Sequence, residues 1–293
     1  MMRDDQFAIA LVLPALSLVL LFTLYPAADA LYRSLHQVIA IFPAEPFVGL
    51  DNYRQVVTSP DFWEALRNTV IFAAVSAPLA VVAGFFTARL LLARFTGRAL
   101  VRAMAILPWV LPGAISAVIW IWVFHPSWGL LNLFLYETGL IDRYVPWLTD
   151  PRLARLCVVV AFVWTQFPFA AVLIMAGLTM IEHDLYDAAE VDGATLWQRF
   201  RYITFPILRP VFTILLVYHS LVALTNYDLV YAMTGGGPGT ATTLLSFRIW
   251  QESFSMMNFG TGSAIAFILV LVSLAFMAAI IKALPADLLP RRA

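Results

Sequence analysis

Charged residues fall along this chain in clusters, and six long windows between them carry no charge: residues 6–28, 68–88, 103–136, 156–181, 210–227 and 253–281. Each supplies the ~20 residues a helix needs to cross the hydrocarbon of a bilayer. A charge at the bilayer centre costs roughly 2.5–3.5 kcal/mol on insertion scales, so windows this long are informative. The pattern predicts six spans, at about residues 8–30, 68–92, 103–124, 155–178, 208–232 and 262–283. A further uncharged stretch, 229–247, is interrupted by Gly235, Gly236, Gly237, Pro238 and Gly239. It reads as a turn leading into a re-entrant or interfacial segment, because irregular backbone is not tolerated in contact with lipid.

Composition agrees. Of the 293 residues, 62% are hydrophobic and 12% charged, whereas a soluble domain runs at about 25% charged. This excludes a disordered chain, a disulfide scaffold and an ordinary soluble enzyme. The fold class is all-α: a polytopic membrane protein, one transmembrane domain over 1–293, with lipid as its surroundings. Eighteen basic residues balance eighteen acidic ones, so no overall field favours nucleic acid. Cys157, the sole cysteine, permits neither an internal disulfide nor a cysteine-based metal site.

Six spans place both termini on one side. With the N-terminus cytoplasmic, inside segments hold eleven bases (Arg3, Arg89, Arg94, Arg98, Arg102, Arg199, Arg201, Arg209, Lys282, Arg291, Arg292) against seven outside. The positive-inside rule therefore predicts cytoplasmic termini. The first window is not expected to be a cleaved signal, since Asp4 and Asp5 precede it and it continues through Tyr25-Pro26 into an amphipathic stretch. The outer segments 36–66 and 125–150 read as short interfacial helices. Trp63, Trp109, Trp120, Trp122, Trp128 and Trp147 mostly fall near span ends, as an aromatic belt does.

The most polar stretch, 182–209, lies between spans four and five and is cytoplasmic in this topology. Asp184 is expected to N-cap a short helix, with Asp187 at its third position. Gly193 permits a turn, and Leu196, Phe200 and Ile203 lie at i, i+4 and i+7 of a second helix. Pro206 and Pro210 are expected to break the chain before it re-enters the membrane. Two short exposed helices form a lever for a partner protein.

At these residues the sequence resembles the EAA loop of binding-protein-dependent ABC importer permeases. Asp187-Ala188-Ala189, Asp192-Gly193-Ala194, Ile203 and Pro206 follow its spacing, with Asp187 where the family usually has Glu. Leu24-Tyr25-Pro26, Gly49-Leu50-Asp51-Asn52-Tyr53, Leu107-Pro108-Trp109 and Thr234-Gly235-Gly236-Gly237-Pro238 are similar to segments of the maltose-type (MalF-like, UgpA-like) carbohydrate permeases. The resemblance implies the type I ABC importer permease fold in a bacterial inner membrane. It also implies a coupling loop docked on a dimer of ATP-binding subunits, a second homologous permease subunit and an extracytoplasmic solute-binding protein.

No catalytic constellation is present: no GxxxxGK[ST], HExxH or GxSxG occurs, and the four histidines are scattered. The chain is therefore expected to be no enzyme, to hold no metal or cofactor of its own, and to draw on ATP bound by partners. Polar groups inside spans are costly and tend to face a cavity. Phe162, Gln166 and Phe169 of span four lie at i, i+4 and i+7 beside Pro168, and span five carries His219, Asn226 and Tyr227, with His219, Ala223 and Asn226 in the same spacing. Amides and rings suit a sugar, and the resemblance favours the same regions; hydrogen bonding between helices is the alternative role. Asp228 would face the outer mouth or a partner. A glycerol-phosphate, polyol or sugar acid remains open as cargo. An ion-coupled secondary transporter or an intramembrane enzyme would need mid-membrane carboxylates or convergent ionisable groups, and only His219 and Asp228 come near.

Overall fold

The structure is a computed structural model that describes residues 4–284, with side chains from Val12 onward. Arg3, Arg291 and Arg292 of the charge count lie outside the described residues. Among these residues the regular structure is helical, apart from the isolated bridges His36–Phe47 and Ile39–Asn258.

Helix α1 (Asp4–Val19) passes through one wide π-turn, Leu20–Leu24, into α2 (Tyr25–Ser34). Pro26 sits in the first turn of α2, where its missing N–H is no loss. No residue in the most apolar window of this first crossing, Val12–Ser34, is buried within the chain. A short α3 (Asp51–Thr58) leads into the second crossing, α4 (Pro60–Leu92). At the far end of α4, Arg98 Nε (2.7 Å) and Arg102 Nη2 (3.1 Å) both donate to the Leu91 carbonyl, satisfying one of the helix's terminal acceptors.

The third crossing differs from the single span expected at 103–124. It is a pair, α5 (Arg98–Val110) and α6 (Gly113–Val123), bent by 109°. Leu111, with ψ 134°, is extended, as a residue before proline is driven to be, and Pro112 cannot donate into the turn before it. With the five continuous crossings this pair makes six. After α7 (Leu130–Glu137) the chain enters the fourth crossing, α8 (Pro151–Thr179). Asp150 caps α8, accepting from the backbone N–H groups of Arg152 (2.8 Å) and Leu153 (3.0 Å). These bonds hold its carboxyl below the usual carboxylate range.

The polar 182–209 segment holds α9 (His183–Val191) and α10 (Leu196–Arg199). Glu182, not Asp184, occupies the N-cap of α9, and its side chain makes no capping bond; Asp184 falls in the first turn. Nor do Pro206 and Pro210 break the chain. A π-turn, Phe200–Thr204, joins α10 to α11 (Phe205–Leu224) as one helical run, with Pro206 in the first turn of α11 and Pro210 inside it. The wide turn just ahead of Pro206 relieves the carbonyl its ring would otherwise strike. The helical run that holds the fifth apolar window is therefore Leu196–Leu224. Then come α12 (Asp228–Thr234), a glycine turn, α13 (Leu245–Trp250) and, after a π-turn at Gln251–Ser255, α14 (Phe259–Ala283), the sixth crossing.

The described residues group into two compact units. One takes residues up to Trp63 with Arg248–Val270. In it, the buried Asn52 amide donates to the Ser34 and His36 carbonyls, each at 2.8 Å, and Arg248 reaches Glu252 at 3.1 Å and Asp61 at 3.7 Å. The other takes Glu64–Phe247 and the chain from Leu271. There α4 and α8 meet along small residues. Ala73, Ala77, Ala80, Gly84 and Ala88 make a buried stripe on α4, and a β-carbon built on Gly84 would stand 2.5 Å from that of Ala170. Such stripes let membrane helices approach closely enough for dispersion to hold them. Ile174, Leu208, Phe212 and Leu215 close the core at the end that carries the coupling loop.

The 229–247 stretch is interrupted at its glycines, as they indicate, but its two ends are helical, in α12 and α13, and only the turn between them is irregular, with Ala241, Thr242, Thr243 and Leu244 buried. Gly235 (φ +58°) ends α12, and Gly236 (φ +83°) has Thr243 and Phe247 where a β-carbon would go. Asn68 donates to the Thr240 and Thr243 carbonyls, Thr69 accepts from the N–H of Leu245, and Arg155 donates to the Ala241 carbonyl. In 125–150, the buried Asn132 ties the segment together, donating to the Val145 carbonyl and accepting from the Val145 N–H and Trp147 Nε1 at 2.9–3.0 Å.

Candidate functional site

Two helix breaks meet at one cavity. The bend at Leu111–Pro112 contributes Trp109, Leu111 and Gly113; the break after α11 contributes Thr225, Asn226 and Asp228; α8 contributes Thr165 and Gln166. Val222 and Leu229 complete a lining of about 240 Å3. Gln166 Oε1 and Asn226 Oδ1 are both shielded from solvent and accept no hydrogen bond. Asn226 is held through its backbone, whose carbonyl accepts from Ser246 Oγ. Gln166 Nε2 makes only a long contact, 3.4 Å, to Thr165 Oγ1. Asp228 approaches Gly113 so closely that a β-carbon there would lie 2.8 Å from Oδ2. Its carboxylate thus sits at the N-terminus of α6, the favourable end of the helix dipole. No Arg, Lys or His lines this cavity.

The cavity gathers Gln166 and Asn226 but not the other candidates. Asn226 reaches it from beyond the end of α11, so it does not share a helical face with His219 and Ala223 as the i, i+4, i+7 spacing implied. Phe162 is fully buried edge-on against Phe72, with ring centroids 5.2 Å apart. Phe169 packs on Trp109 (5.3 Å) and Tyr218 (4.7 Å), one layer behind the lining. His219 is fully buried, with neither ring nitrogen hydrogen-bonded, 6.1 Å from the Phe169 ring. Tyr227 stacks on Tyr231. Sequence reasoning passed over Trp109, Thr165 and Thr225. The signal was Pro112-Gly113, three residues after Trp109, which marks a break inside an uncharged window.

The 182–209 loop is tied down by hydrogen bonds along its length. Tyr186 Oη and Thr204 Oγ1 lie 2.8 Å apart, joining α9 to the base of α11, and Tyr186 packs on the core. Gly193 takes φ +73°. The N–H of Ala194 donates to the Ala189 carbonyl at 2.9 Å, and Arg199 bonds the Ala194 carbonyl and Glu190. Thr195 and Gln198 form a capping box for α10. Asp187, Ala188, Asp192, Gly193 and Pro206 are exposed; Ala189 and Ala194 are half-buried. Phe200 and Ile203 are half-buried, Phe200 against Phe85 and Phe205, whereas Leu196, one α-turn earlier, is 75% exposed; Val191, Trp197 and Tyr202 are exposed too.

Comparison with known proteins accords with this architecture. Residues 80–286 match the family described as binding-protein-dependent transport system inner membrane component. The trehalose/maltose transport system permease protein MalF of Thermococcus litoralis is 37% identical over 96% of this chain and 94% of its own. The sulfoquinovosyl glycerol transport system permease protein SmoG of Agrobacterium fabrum is 34% identical (95% and 90%), and that organism's sn-glycerol-3-phosphate transport system permease protein UgpA 32% (92% and 91%). In fold, the chain superposes with TM-score 0.79 and 23% identity, over 95% of each chain, on a bacterial ABC transporter involved in the import of the acidic polysaccharide alginate. This chain therefore belongs to the inner membrane components of binding-protein-dependent ABC transport systems.

Proposed function

We propose that this chain is one of two permease subunits of an ATP-driven importer for a neutral sugar or sugar-like solute. An extracytoplasmic binding protein delivers the solute, and ATP is hydrolysed on a pair of partner subunits against which the α9 loop docks. The observation that carries the substrate class is the pair of unpartnered amide oxygens, Gln166 Oε1 and Asn226 Oδ1, in one cavity. A buried acceptor without a donor costs roughly 1–3 kcal/mol, and a polyhydroxylated ligand brings donors, while Trp109 offers a face for its C–H groups. Maltose and trehalose, named for one relative, are neutral; the sulfoquinovosyl and phosphate cargoes named for two others are anionic. Asp228 in a lining without a basic residue favours the neutral class, since a second anion beside it would be unpaired. The bias of eleven bases to seven supports cytoplasmic termini and a cytoplasmic α9.

The test is a thermal-shift screen of the partner binding protein against neutral sugars, polyols, sugar acids and glycerol phosphates. Uptake of the ligand found is then measured in vesicles holding the complete transporter. The expected result is a neutral, hydroxyl-rich ligand whose uptake stops when ATP hydrolysis is blocked. Stabilisation by phosphorylated or sulfonated compounds alone would overturn the neutral assignment, and uptake indifferent to ATP would overturn the coupling.

A further inference from the structure

Beside the transport cavity, the bundle holds a second groove, of about 300 Å3, between α4 and α8. Its walls are Ile71, Val75 and Leu79 of α4, at i, i+4 and i+8 on one face, and Leu156 and Val159 of α8. Ile71, Val75, Leu79 and Leu156 are about half exposed. The two helices run in parallel register, since Phe72 meets Phe162 and Gly84 meets Ala170. That register sets Arg67 level with Arg155, and both line the groove. Arg155 gives its Nε to the Ala241 carbonyl at 2.9 Å, and neither guanidinium is paired with an acid among the described residues.

From Arg67 to Leu79 the helix rises ~18 Å, close to half of the ~30 Å hydrocarbon thickness. The groove therefore has the length of one leaflet, with two cations at its polar end and an apolar floor toward the midplane. We propose that it binds one anionic phospholipid, the phosphate held by Arg67 and Arg155 and an acyl chain laid along Ile71, Val75 and Leu79. A zwitterionic lipid would fill the same floor but leave the two guanidinium charges without net neutralisation.

The complete transporter is placed in nanodiscs of mixed phosphatidylglycerol and phosphatidylcholine, and retained lipid is read by native mass spectrometry. Retention should favour phosphatidylglycerol by roughly fivefold per arginine, about thirtyfold for the pair. Arg67→Gln with Arg155→Gln should abolish that preference. Val75→Trp, which fills the groove and spares both arginines, should displace lipid of either kind, and this arm decides the matter if the double variant fails to assemble. Equal retention of the two lipids, or adducts unchanged by Val75→Trp, would overturn the proposal. So would near-complete cross-linking of a Val75→Cys variant to a neighbouring subunit in the bilayer, which would make the groove a helix-packing surface.

Discussion

Gly84→Ala puts one methyl group where α4 and α8 are closest. The new β-carbon would stand 2.5 Å from Ala170 Cβ and 2.9 Å from Ala171 N. Non-bonded carbons rest at about 3.5–4.0 Å, so the helices must part by ~1 Å or more. The obstacle is backbone and a β-carbon, neither of which can swing aside. Two effects compete. Alanine is the better helix former by about 1 kcal/mol, while overpacking costs typically 1–3 kcal/mol. Parting the helices also loosens the buried alanine stripe and the Phe72–Phe162 contact, so the packing loss wins, by up to about 2 kcal/mol net. Cys157 offers the assay: the sole cysteine, 2% exposed on α8, it reacts with a thiol dye only when the helix opens. The labelling midpoint on heating should fall by several degrees. Ala170→Gly in the same chain should recover part of the loss, but not all, because the Ala171 nitrogen remains. A Gly84→Ala chain as stable as the parent would refute the reasoning, since the helices would then be free to separate at no cost.

Gly193→Ala and Gly193→Val meet no neighbouring atom but force a β-carbon into the left-handed region, at roughly 1–2 kcal/mol. Uptake and binding-protein-stimulated ATPase activity should fall more for Val than for Ala while membrane insertion is unchanged; full coupling in the Val variant would count against the loop as a rigid lever. Gln166→Leu and Asn226→Leu should each cut uptake about two- to tenfold, the worth of one neutral hydrogen bond. Neither should lower the Cys157 labelling midpoint, because each removes an unpaired buried oxygen; a stability loss without an uptake loss would reassign them to helix packing. Asp150 has a lowered native pKa, so its capping contribution is complete above the ordinary value of 3.8 and fades as pH falls below it. Asp150→Asn keeps a capping oxygen and should flatten that acid limb of the stability profile, read by circular dichroism on heating, since a protonated thiol does not label at acid pH.

The crossings were legible because charge is excluded from hydrocarbon at a cost no packing easily offsets, so uncharged windows trace them. The coupling loop was legible because its acids, glycine and prolines stand at fixed spacing. What could not be read is what depends on register. The π-turn at Phe200–Thr204 shifts Ile203 and everything after it relative to Leu196 and Phe200, and no residue type announces a wide turn. Pro206 reads as a breaker in one dimension and as an ordinary first-turn proline once that turn precedes it. Asn132 and Asn68 are single polar residues in unremarkable surroundings, yet each organises a buried segment through backbone groups distant in sequence. Asn226 was picked out for its chemistry, but on a helical face it does not occupy; the cavity reaches it through the end of the helix.

That last point joins fold to function. Backbone whose N–H and C=O groups are not paired within a helix survives at membrane depth only where it is buried in protein or lines a water-filled space. Here the bend at Leu111–Pro112 and the break at Thr225–Tyr227 open onto one cavity, and Thr225, Asn226 and Asp228, at and beside the second break, share its polar lining with Thr165 and Gln166 of α8. The unpaired amide oxygens of Gln166 and Asn226 lie beside these breaks, on residues that line the same cavity. The proline that spoils the third crossing as a simple span is therefore also what brings Trp109, Leu111 and Gly113 to the cavity, and the small-residue contact at Gly84 holds α8, with Gln166 on it, in place against α4.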